Sequence, residues 1–207
     1  MPRNQKQCPR VRAEELNRMK KSKLEAAETR RRIVKSAAAE FRRKGINNTG
    51  LNEVMAAAGL THGGFYRHFA SKDQLVAEAC AAAMVAAEKN QFSGCLGLRK
   101  VGLEAILTEY LSKNHRDNLS AGCVLAGLGS ELARSDDRTR AAATAGFLKL
   151  VDAFAQQYRR TKHEIATQRA LVAVSAMIGA LTISRIVTDP KLSAAVLRQT
   201  KKHLAHM

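Results

Sequence analysis

Polar and cationic side chains between residues 61 and 72 have the chemistry that binds phosphates and the edges of bases. Arg67 carries a planar guanidinium that can donate two hydrogen bonds to one guanine, worth about 1–3 kcal/mol of discrimination. Lys72 directly follows Ser71 at the start of a predicted helix, where a flexible cation suits a phosphate oxygen. The candidate contact residues here are Thr61, His62, Gly63, Gly64, Tyr66, Arg67, His68 and Lys72.

Two short helices must position these side chains. Apolar residues spaced by three and four from Leu51 to Ala58 predict the first helix, with Thr49 or Gly50 as its N-cap. Gly59 then turns the chain where a Cβ would be costly. Thr61 begins a very short second helix that ends near Phe69. Two helices joined by a glycine-containing turn form a helix-turn-helix, predicted at about residues 50–69, whose second helix enters the DNA major groove.

The overall charge also indicates a polyanionic partner. The 207 residues include 35 Lys and Arg against 18 Asp and Glu, a formal net charge of +17. Residues 1–75 hold 17 of these cations against 7 acids. We expect residues 1–25 to be a disordered basic arm, or alternatively an arm that lies along a DNA groove.

Several classes of protein do not fit the sequence. The four cysteines show no C-x-x-C spacing, so we expect no zinc site, no disulfide framework and no other metal site. The uncharged run 170–184 is too short to span a bilayer, and no secretory signal is visible, so we expect a cytoplasmic protein without membrane contact. Neither a catalytic constellation nor a phosphate-binding glycine loop is present, so we expect no enzyme activity and no cofactor.

Helical patterns continue to the end of the chain. The whole sequence predicts an all-α protein of about nine helices without strands. We divide it into the arm, a DNA-binding domain at 26–87 and a regulatory domain at 88–207. Within the last domain we expect a polar connection at 115–118. A strongly apolar helix follows at about 165–187, and a final helix at about 191–204 begins after Asp189 and Pro190.

The stretch from Thr49 to Lys72, TGLNEVMAAAGLTHGGFYRHFASK, closely resembles the DNA-binding domain of the TetR/AcrR family of transcriptional regulators. The resemblance covers residues 28–87 and includes Phe41 and Gly45 of the preceding helix. It implies that Thr49 and Gly50 join the DNA-contacting residues, with Thr49, Tyr66 and Lys72 at phosphates. At Val124, where one branch of the family has proline after a Gly-Cys pair, this sequence departs from the pattern.

The resemblance further implies a homodimer formed through helices 165–187 and 191–204 that binds a pseudo-palindromic operator in double-stranded DNA. It implies a repressor released by a small apolar inducer, or by an oxidant or electrophile. A pocket in the regulatory domain would use some of Phe92, Tyr110, Cys123, Phe147, Phe154 and Met177, although such residues can equally be ordinary core.

Two alternatives remain at this stage. Cys123 is either a redox-sensing thiol or, as we favour, a small buried residue beside a tight turn at Gly122.

The +17 charge alone would also fit a non-specific, nucleoid-packing DNA-binding protein, which a steep salt dependence without sequence preference would reveal.

Overall fold

The computed structural model describes residues 9–90, 102–158 and 162–207, and every regular element within them is helical. The all-α prediction is therefore confirmed. The α-helices are α1 (Pro9–Lys44), α2 (Leu51–Ala57), α3 (Lys72–Asn90), α4 (Leu103–Tyr110), α5 (Lys113–Asp117), α6 (Val124–Leu132), α7 (Asp137–Ala155), α8 (His163–Ile186) and α9 (Pro190–Ala205). Two 3₁₀ helices, His62–Arg67 and Gln156–Tyr158, complete the described elements.

Helix α1 is much longer than the sequence analysis predicts. Residues 9–25, expected to be part of a disordered arm, form the first part of this 36-residue helix. The prediction of disorder is wrong for these residues because Lys, Arg, Glu, Ala and Leu all favour helix. Pro9 also suits the first position of a helix, where its missing N–H has no partner to lose. Residues 1–8 lie outside the described residues.

Local sequence signals set most helix ends. The side chains of Asp136 and Asp189 accept the backbone N–H groups of Thr139 and Lys191, both at 2.8 Å, as N-caps of α7 and α9. Gly45 closes α1 with φ +91°, a conformation that favours glycine. The cap at Asp189 confirms the predicted start of the final helix.

The predicted polar connection at 115–118 is wrong. Its first residues belong to α5, which begins after Ser112, and the Ser112 hydroxyl accepts the His115 N–H at 3.0 Å. His115 itself is buried. A five-residue helix is too short to produce a periodic apolar pattern, so the cap is its only local signal.

Two buried clusters form the core. One unites α1, α2, the first 3₁₀ helix and α3 with Val124, Leu128 and Leu132 of α6. The other lies among α4, α7, α8 and α9. The predicted domain boundary at residue 87 falls inside α3, and α6 packs on the N-terminal core. The division into two domains stays a prediction, and the two parts share a continuous apolar contact through α6.

Helix α8 is long and apolar enough, by length and a mean hydropathy of 1.5, to cross a membrane. It packs instead against α7 and α9, and residues such as Ala170, Ala173, Met177 and Leu181 are fully buried. One side of α8 therefore belongs to the core, while Val172 and Ile186 on its other side are exposed.

Candidate nucleic-acid interface

The turn between α2 and the following 3₁₀ helix is tightly defined. The Gly59 N–H donates to the Ala56 carbonyl and the Leu60 N–H to the Met55 carbonyl, both at 2.9 Å. Gly59 has φ +69°, so these two bonds make a complete Schellman ending. The predicted role of Gly59 is confirmed, and this turn fixes the direction in which the next segment leaves.

The segment that follows, which we call the recognition segment, comprises residues 61–68. Its regular part, His62–Arg67, is a 3₁₀ helix rather than the predicted α-helix. Gly63 and Gly64 disfavour the α conformation, and a six-residue piece is within the usual range of short 3₁₀ helices. Phe65 is fully buried and stacks with Phe69 at 5.6 Å between ring centroids, which anchors the segment to the core.

Five predicted contact residues of this segment are exposed. Tyr66 is 67% exposed although it is a large aromatic residue. Its ring is edge-on to those of Phe65 and His62, at 5.1 and 6.4 Å between centroids. The exposed residues are Thr61, His62, Gly63, Tyr66 and Arg67, and Gly64 and His68 are half-buried. The recognition segment therefore exposes donors, a cation and aromatic edges to a partner.

The two glycines of the segment are not required by the packing of the chain itself. A Cβ added at Gly63 would meet nothing within 4 Å, and one at Gly64 would meet only the Met55 methyl at 3.6 Å. Neither residue has a positive φ. Their lack of a side chain instead leaves the surface open to a close partner.

Thr49 does not have the predicted phosphate-contacting position. Its side chain is fully buried, and its hydroxyl donates to the Gly45 carbonyl at 2.6 Å. That bond ties the loop before α2 to Gly45, which closes α1, so Thr49 positions the helix-turn-helix from inside. Gly50 remains exposed, but its N–H donates to the Glu53 carboxylate at 3.2 Å within the cap of α2.

Lys72 also differs from its predicted role. Its ammonium donates to the carbonyls of Ile46 and Thr49, both at 2.8 Å. Two of its three N–H donors therefore bind the loop between α1 and α2. In this arrangement Lys72 is a positioning residue that couples the first turn of α3 to that loop.

Sequence reasoning missed a further contact behind the recognition segment. The Arg30 guanidinium lies 4.1 Å from the centroid of the Phe69 ring and donates to the Glu78 carboxylate at 2.6 Å. Arg30 and Glu78 are 48 residues apart, so no local spacing pattern marks the pair. The contact holds together α1, α3 and Phe69, which directly follows the recognition segment.

A rigid glycine turn, an anchored second element and an exposed polar face define a helix-turn-helix DNA-binding protein. The family model described as "Bacterial regulatory proteins, tetR family" matches residues 33–79. An HTH-type transcriptional regulator of Mycobacterium tuberculosis is 30% identical over 185 residues, covering 84% of this chain and 93% of the relative. The HTH-type transcriptional repressor BepR of Brucella suis is 43% identical over 54 residues, which is 26% of each chain.

Solved structures agree with these relatives over most of the chain. A TetR transcriptional regulator from Chloroflexus aurantiacus superposes with a TM-score of 0.71 and 26% identity, covering 88% of this chain and 94% of that one. The chain belongs to the TetR/AcrR family, and it is a DNA-binding transcriptional regulator.

The predicted pocket residues separate into two groups in the structure. Tyr110, Cys123, Phe154 and Met177 are buried in the second core cluster. Phe147 is half-buried and lines a cavity of about 480 Å³ between α6, α7 and α8. Leu125, Ala143, Thr144, Ser175, Ile178 and Gly179 complete its lining. Phe92 lies outside the described residues.

Cys123 lies in a buried polar network. Its backbone N–H donates to His115 Nε2 at 3.0 Å, while His115 Nδ1 lies 2.8 Å from the Tyr110 carbonyl. Burial lowers the pKa of His115, and burial, followed by the Cys123 thiol, raises the pKa of Tyr110. Cys123 is 6% exposed, which supports its structural rather than its redox interpretation. Within the described residues, no group of three or more His, Cys, Asp or Glu could hold a metal ion.

Two contacts join the neighbourhood of α6 to the N-terminal core. Arg42 of α1 donates to the Ser120 carbonyl at 2.7 Å, just before Cys123. Glu131 of α6 accepts the Asn47 N–H at 2.9 Å, beside the loop that Lys72 holds. The loop preceding α2 is therefore contacted from both α3 and α6.

Proposed function

We propose that the chain is a homodimeric repressor that binds a pseudo-palindromic operator through the recognition segment. The observation that carries the proposal is the exposed face of Thr61, His62, Gly63, Tyr66 and Arg67, anchored by buried Phe65. Arg67 would read a base edge in the major groove, while His62 and Tyr66 would contact the backbone or base edges. Gly50 and His68 would lie at the margin of this surface.

The exposed face of α8 supports dimerisation. Val172, Ser175, Gly179, Ile183 and Ile186 follow one another at intervals of three and four, and all are exposed. Val172 is 56% and Ile186 66% exposed, while small residues in the middle would let a second helix approach closely. Leu192 of α9, 52% exposed, extends the apolar surface to the next helix. A second copy of the chain is the occupant that we propose.

Dimerisation fits the requirements of operator reading. Two recognition segments fixed in one dimer would reach successive major grooves, about 34–36 Å apart per helical turn of DNA. A shift of a few ångströms between them would remove one half-site from register. A ligand that changes the distance between the two recognition segments would therefore change operator affinity.

An apolar inducer would act from the cavity that Phe147 lines, which adjoins the proposed dimer face at Ser175 and Gly179. Gly146, the preceding residue on α7, faces α3 so closely that an added Cβ would lie 2.5 Å from Met84. A ligand that displaces α7 would thus press on α3, whose Lys72 holds the carbonyls of Ile46 and Thr49. This path connects the cavity to the loop in front of the helix-turn-helix.

The relatives are transcriptional regulators rather than enzymes, and they give no support to a nucleoid-packing function. As a regulator of bacterial genes the chain would act in the cytoplasm, without membrane contact. Oxidation at Cys123 is a less favoured means of induction because the residue is buried.

Selection of bound duplexes from a random library, followed by footprinting of the enriched sequence, tests the proposal. We expect enrichment of one sequence with two-fold symmetry and protection of both half-sites. Bound pools that stay random would reject operator recognition and favour the nucleoid-packing alternative.

A further inference from the structure

Buried polar side chains gather where α5 meets the end of α8 and the start of α9. Three of the buried polar residues in the described chain belong to this junction, namely His115, Ser184 and Ser193. The Ser193 hydroxyl donates to the Ser184 carbonyl at 2.5 Å and accepts a bond from Arg116 Nη1 at 2.9 Å. Burying polar groups costs free energy unless they are hydrogen-bonded, so these bonds keep a polar cluster stable at a packed junction.

A cavity of about 440 Å³ lies beside this polar cluster. Its charged lining residues are Arg116, Asp117 and Arg185, and its apolar ones are Leu119, Val187 and Pro190. Ile186 and Leu192, which belong to the proposed dimer face, are not part of the lining. The cavity is therefore separate from the surface that we assign to the second copy of the chain.

The two guanidiniums carry more positive charge than the carboxylate of the lining can neutralise. Arg116 pairs with Asp117 through Nε at 2.7 Å and through Nη2 at 3.3 Å. Arg185 instead donates to the carbonyls of Arg116 and His115, at 2.9 and 3.0 Å. Carbonyls carry no formal charge, and no ion pair of the described residues includes Arg185. The lining therefore keeps one positive charge without a paired acid.

The Arg185 side chain is held in place by the chain itself. It lies so close to Gly122 that an added Cβ would be 2.7 Å from Nη2. Burial lowers the pKa of Arg185, because water is partly excluded from the guanidinium. Bonds within the described chain use two of the five N–H donors of Arg185 and three of those of Arg116. Both guanidiniums thus keep N–H donors for an anion.

A carboxylate with an aliphatic chain matches this lining. Guanidinium groups bind carboxylates through two parallel hydrogen bonds, as Arg116 already does with Asp117. The Asp117 side chain is 54% exposed, so a ligand carboxylate can replace it without disturbing the core. Leu119, Val187 and Pro190 form an apolar wall that an aliphatic chain would cover. Inorganic phosphate would use the guanidiniums and leave this wall in water.

We propose that this cavity binds a small organic acid, with its carboxylate at Arg116 and Arg185 and its aliphatic part on the apolar wall. The inference goes beyond the proposed function, because the cavity lined by Phe147 has no charged residue in its lining. The chain would then have two ligand sites of different chemistry, one for a neutral apolar molecule and one for an organic anion.

A ligand in this cavity would act on α1 through one short loop. Arg185 binds carbonyls near the end of α5, and residues 118–123 follow directly. Within that loop the Ser120 carbonyl accepts a bond from Arg42 Nε of α1 at 2.7 Å. A ligand that draws Arg185 toward the cavity would therefore displace the loop that Arg42 holds. Because α1 carries the helix-turn-helix, operator affinity should change with it.

Isothermal titration calorimetry of the full chain tests the site without need of an operator. The probes are hexanoate, its uncharged analogue hexanamide, and inorganic phosphate. R116Q removes the partner of the carboxylate, and D117N removes the competing acid while keeping the shape of the side chain. R140Q and D137N make the same changes in an exposed ion pair of α7, 3.4 Å apart, and serve as matched controls. Circular dichroism melts check that every variant is folded.

We expect one hexanoate to bind per protomer, and hexanamide and phosphate to bind at least about tenfold more weakly. R116Q should weaken hexanoate binding at least about tenfold, and D117N should strengthen it by about threefold or more. R140Q and D137N should leave it unchanged. Saturating hexanoate should also shift the operator affinity of the wild type in an anisotropy titration, and R116Q should abolish the shift.

A hexanoate Kd above about 10 mM, or equal binding of hexanoate and hexanamide, would overturn the inference. Equal effects of R116Q and R140Q would do the same, and should R116Q not fold, unchanged binding in D117N decides against it. Phosphate that binds more tightly than hexanoate would contradict the organic acid. An operator affinity that hexanoate leaves unchanged would contradict the link to α1. A wild type without operator preference would refute the proposed function, while calorimetry would still decide this inference.

Discussion

The Lys72 ammonium donates a 2.8 Å hydrogen bond to the carbonyl oxygen of Thr49, across 23 residues of chain. Thr49 in turn is fully buried and donates its hydroxyl to Gly45. Both residues occupy positions that the family resemblance associates with phosphates, yet here they bind each other and the loop before α2. Their joint role is to set the helix-turn-helix on α1 and α3.

The variant K72M tests this positioning role. Loss of the bonds to Thr49 and Ile46 leaves two carbonyls without a charged partner, so the free energy of unfolding should fall by about 1–3 kcal/mol. Operator affinity should fall with an unchanged salt slope, because no phosphate contact is lost. Denaturant unfolding and anisotropy titrations in KCl measure the two effects, with exposed Lys35→Met as the control. If K72M keeps its stability and its salt slope is smaller by about 0.9, Lys72 contacts a phosphate after all and the positioning role is wrong.

The glycine pair of the recognition segment gives a second test. Because a Cβ meets nothing at Gly63, G63A should keep or raise stability, by up to about 1 kcal/mol in a helical segment. Operator affinity should nevertheless drop, since the added methyl occupies the surface that faces DNA. In contrast G59A places alanine at φ +69° and should cost about 1–2 kcal/mol in stability. If G63A binds the operator with wild-type affinity, the hypothesis that Gly63 lets DNA approach closely is wrong.

The dimer proposal is tested at the exposed face of α8. V172D buries a charge in the proposed interface, so light scattering after gel filtration should show a monomer or a much weakened dimer. Operator affinity should fall with it. V85D makes the same change at a valine of α3 that is 40% exposed, and it should leave the oligomeric state unchanged. A dimer of wild-type stability in V172D would place the interface elsewhere.

The buried His115 predicts a pH dependence of stability. Its Nε2 accepts the Cys123 N–H, which requires a neutral ring, and burial lowers its pKa below the ordinary value of 6.5. The unfolded chain therefore takes up the proton at a higher pH than the folded one does. The stability that the neutral ring provides is complete above about pH 6.5 and is lost as the pH falls through the folded pKa.

Melting temperatures at pH 7.5 and 5.5 check this dependence. The wild type should lose stability at the lower pH, and H115Q, whose amide can donate and accept without titrating, should lose less. Identical losses in both proteins would show that other groups are responsible.

Local signals were sufficient for much of the fold and for the outline of the interface. The turn at Gly59 and the start of the final helix after Asp189 are both read from neighbouring residues. Such features act within one or two turns of chain, which is the range over which a sequence pattern can be seen.

The roles of Lys72 and Thr49 could not be derived in that way. Each role depends on a backbone carbonyl that the packing of α1 against α3 brings close. Every residue has such a carbonyl, so the sequence does not show which one a side chain will bind. The same is true of Arg30 and Glu78. The extension of α1 was missed for a different reason, because a basic run suggests a solvated arm while its residues also favour helix.

A competition titration tests the central claim, that the recognition segment reads duplex sequence, most directly. Labelled operator bound to the protein in about 150 mM KCl is displaced by unlabelled operator or by random duplex of the same length. We predict that random duplex must be at least about 10³-fold more concentrated, and that R67A lowers this ratio by a factor corresponding to about 1–3 kcal/mol. Exposed Arg134→Ala should leave it unchanged. Equal displacement by operator and random duplex, or an R67A ratio equal to that of the wild type, would contradict the account.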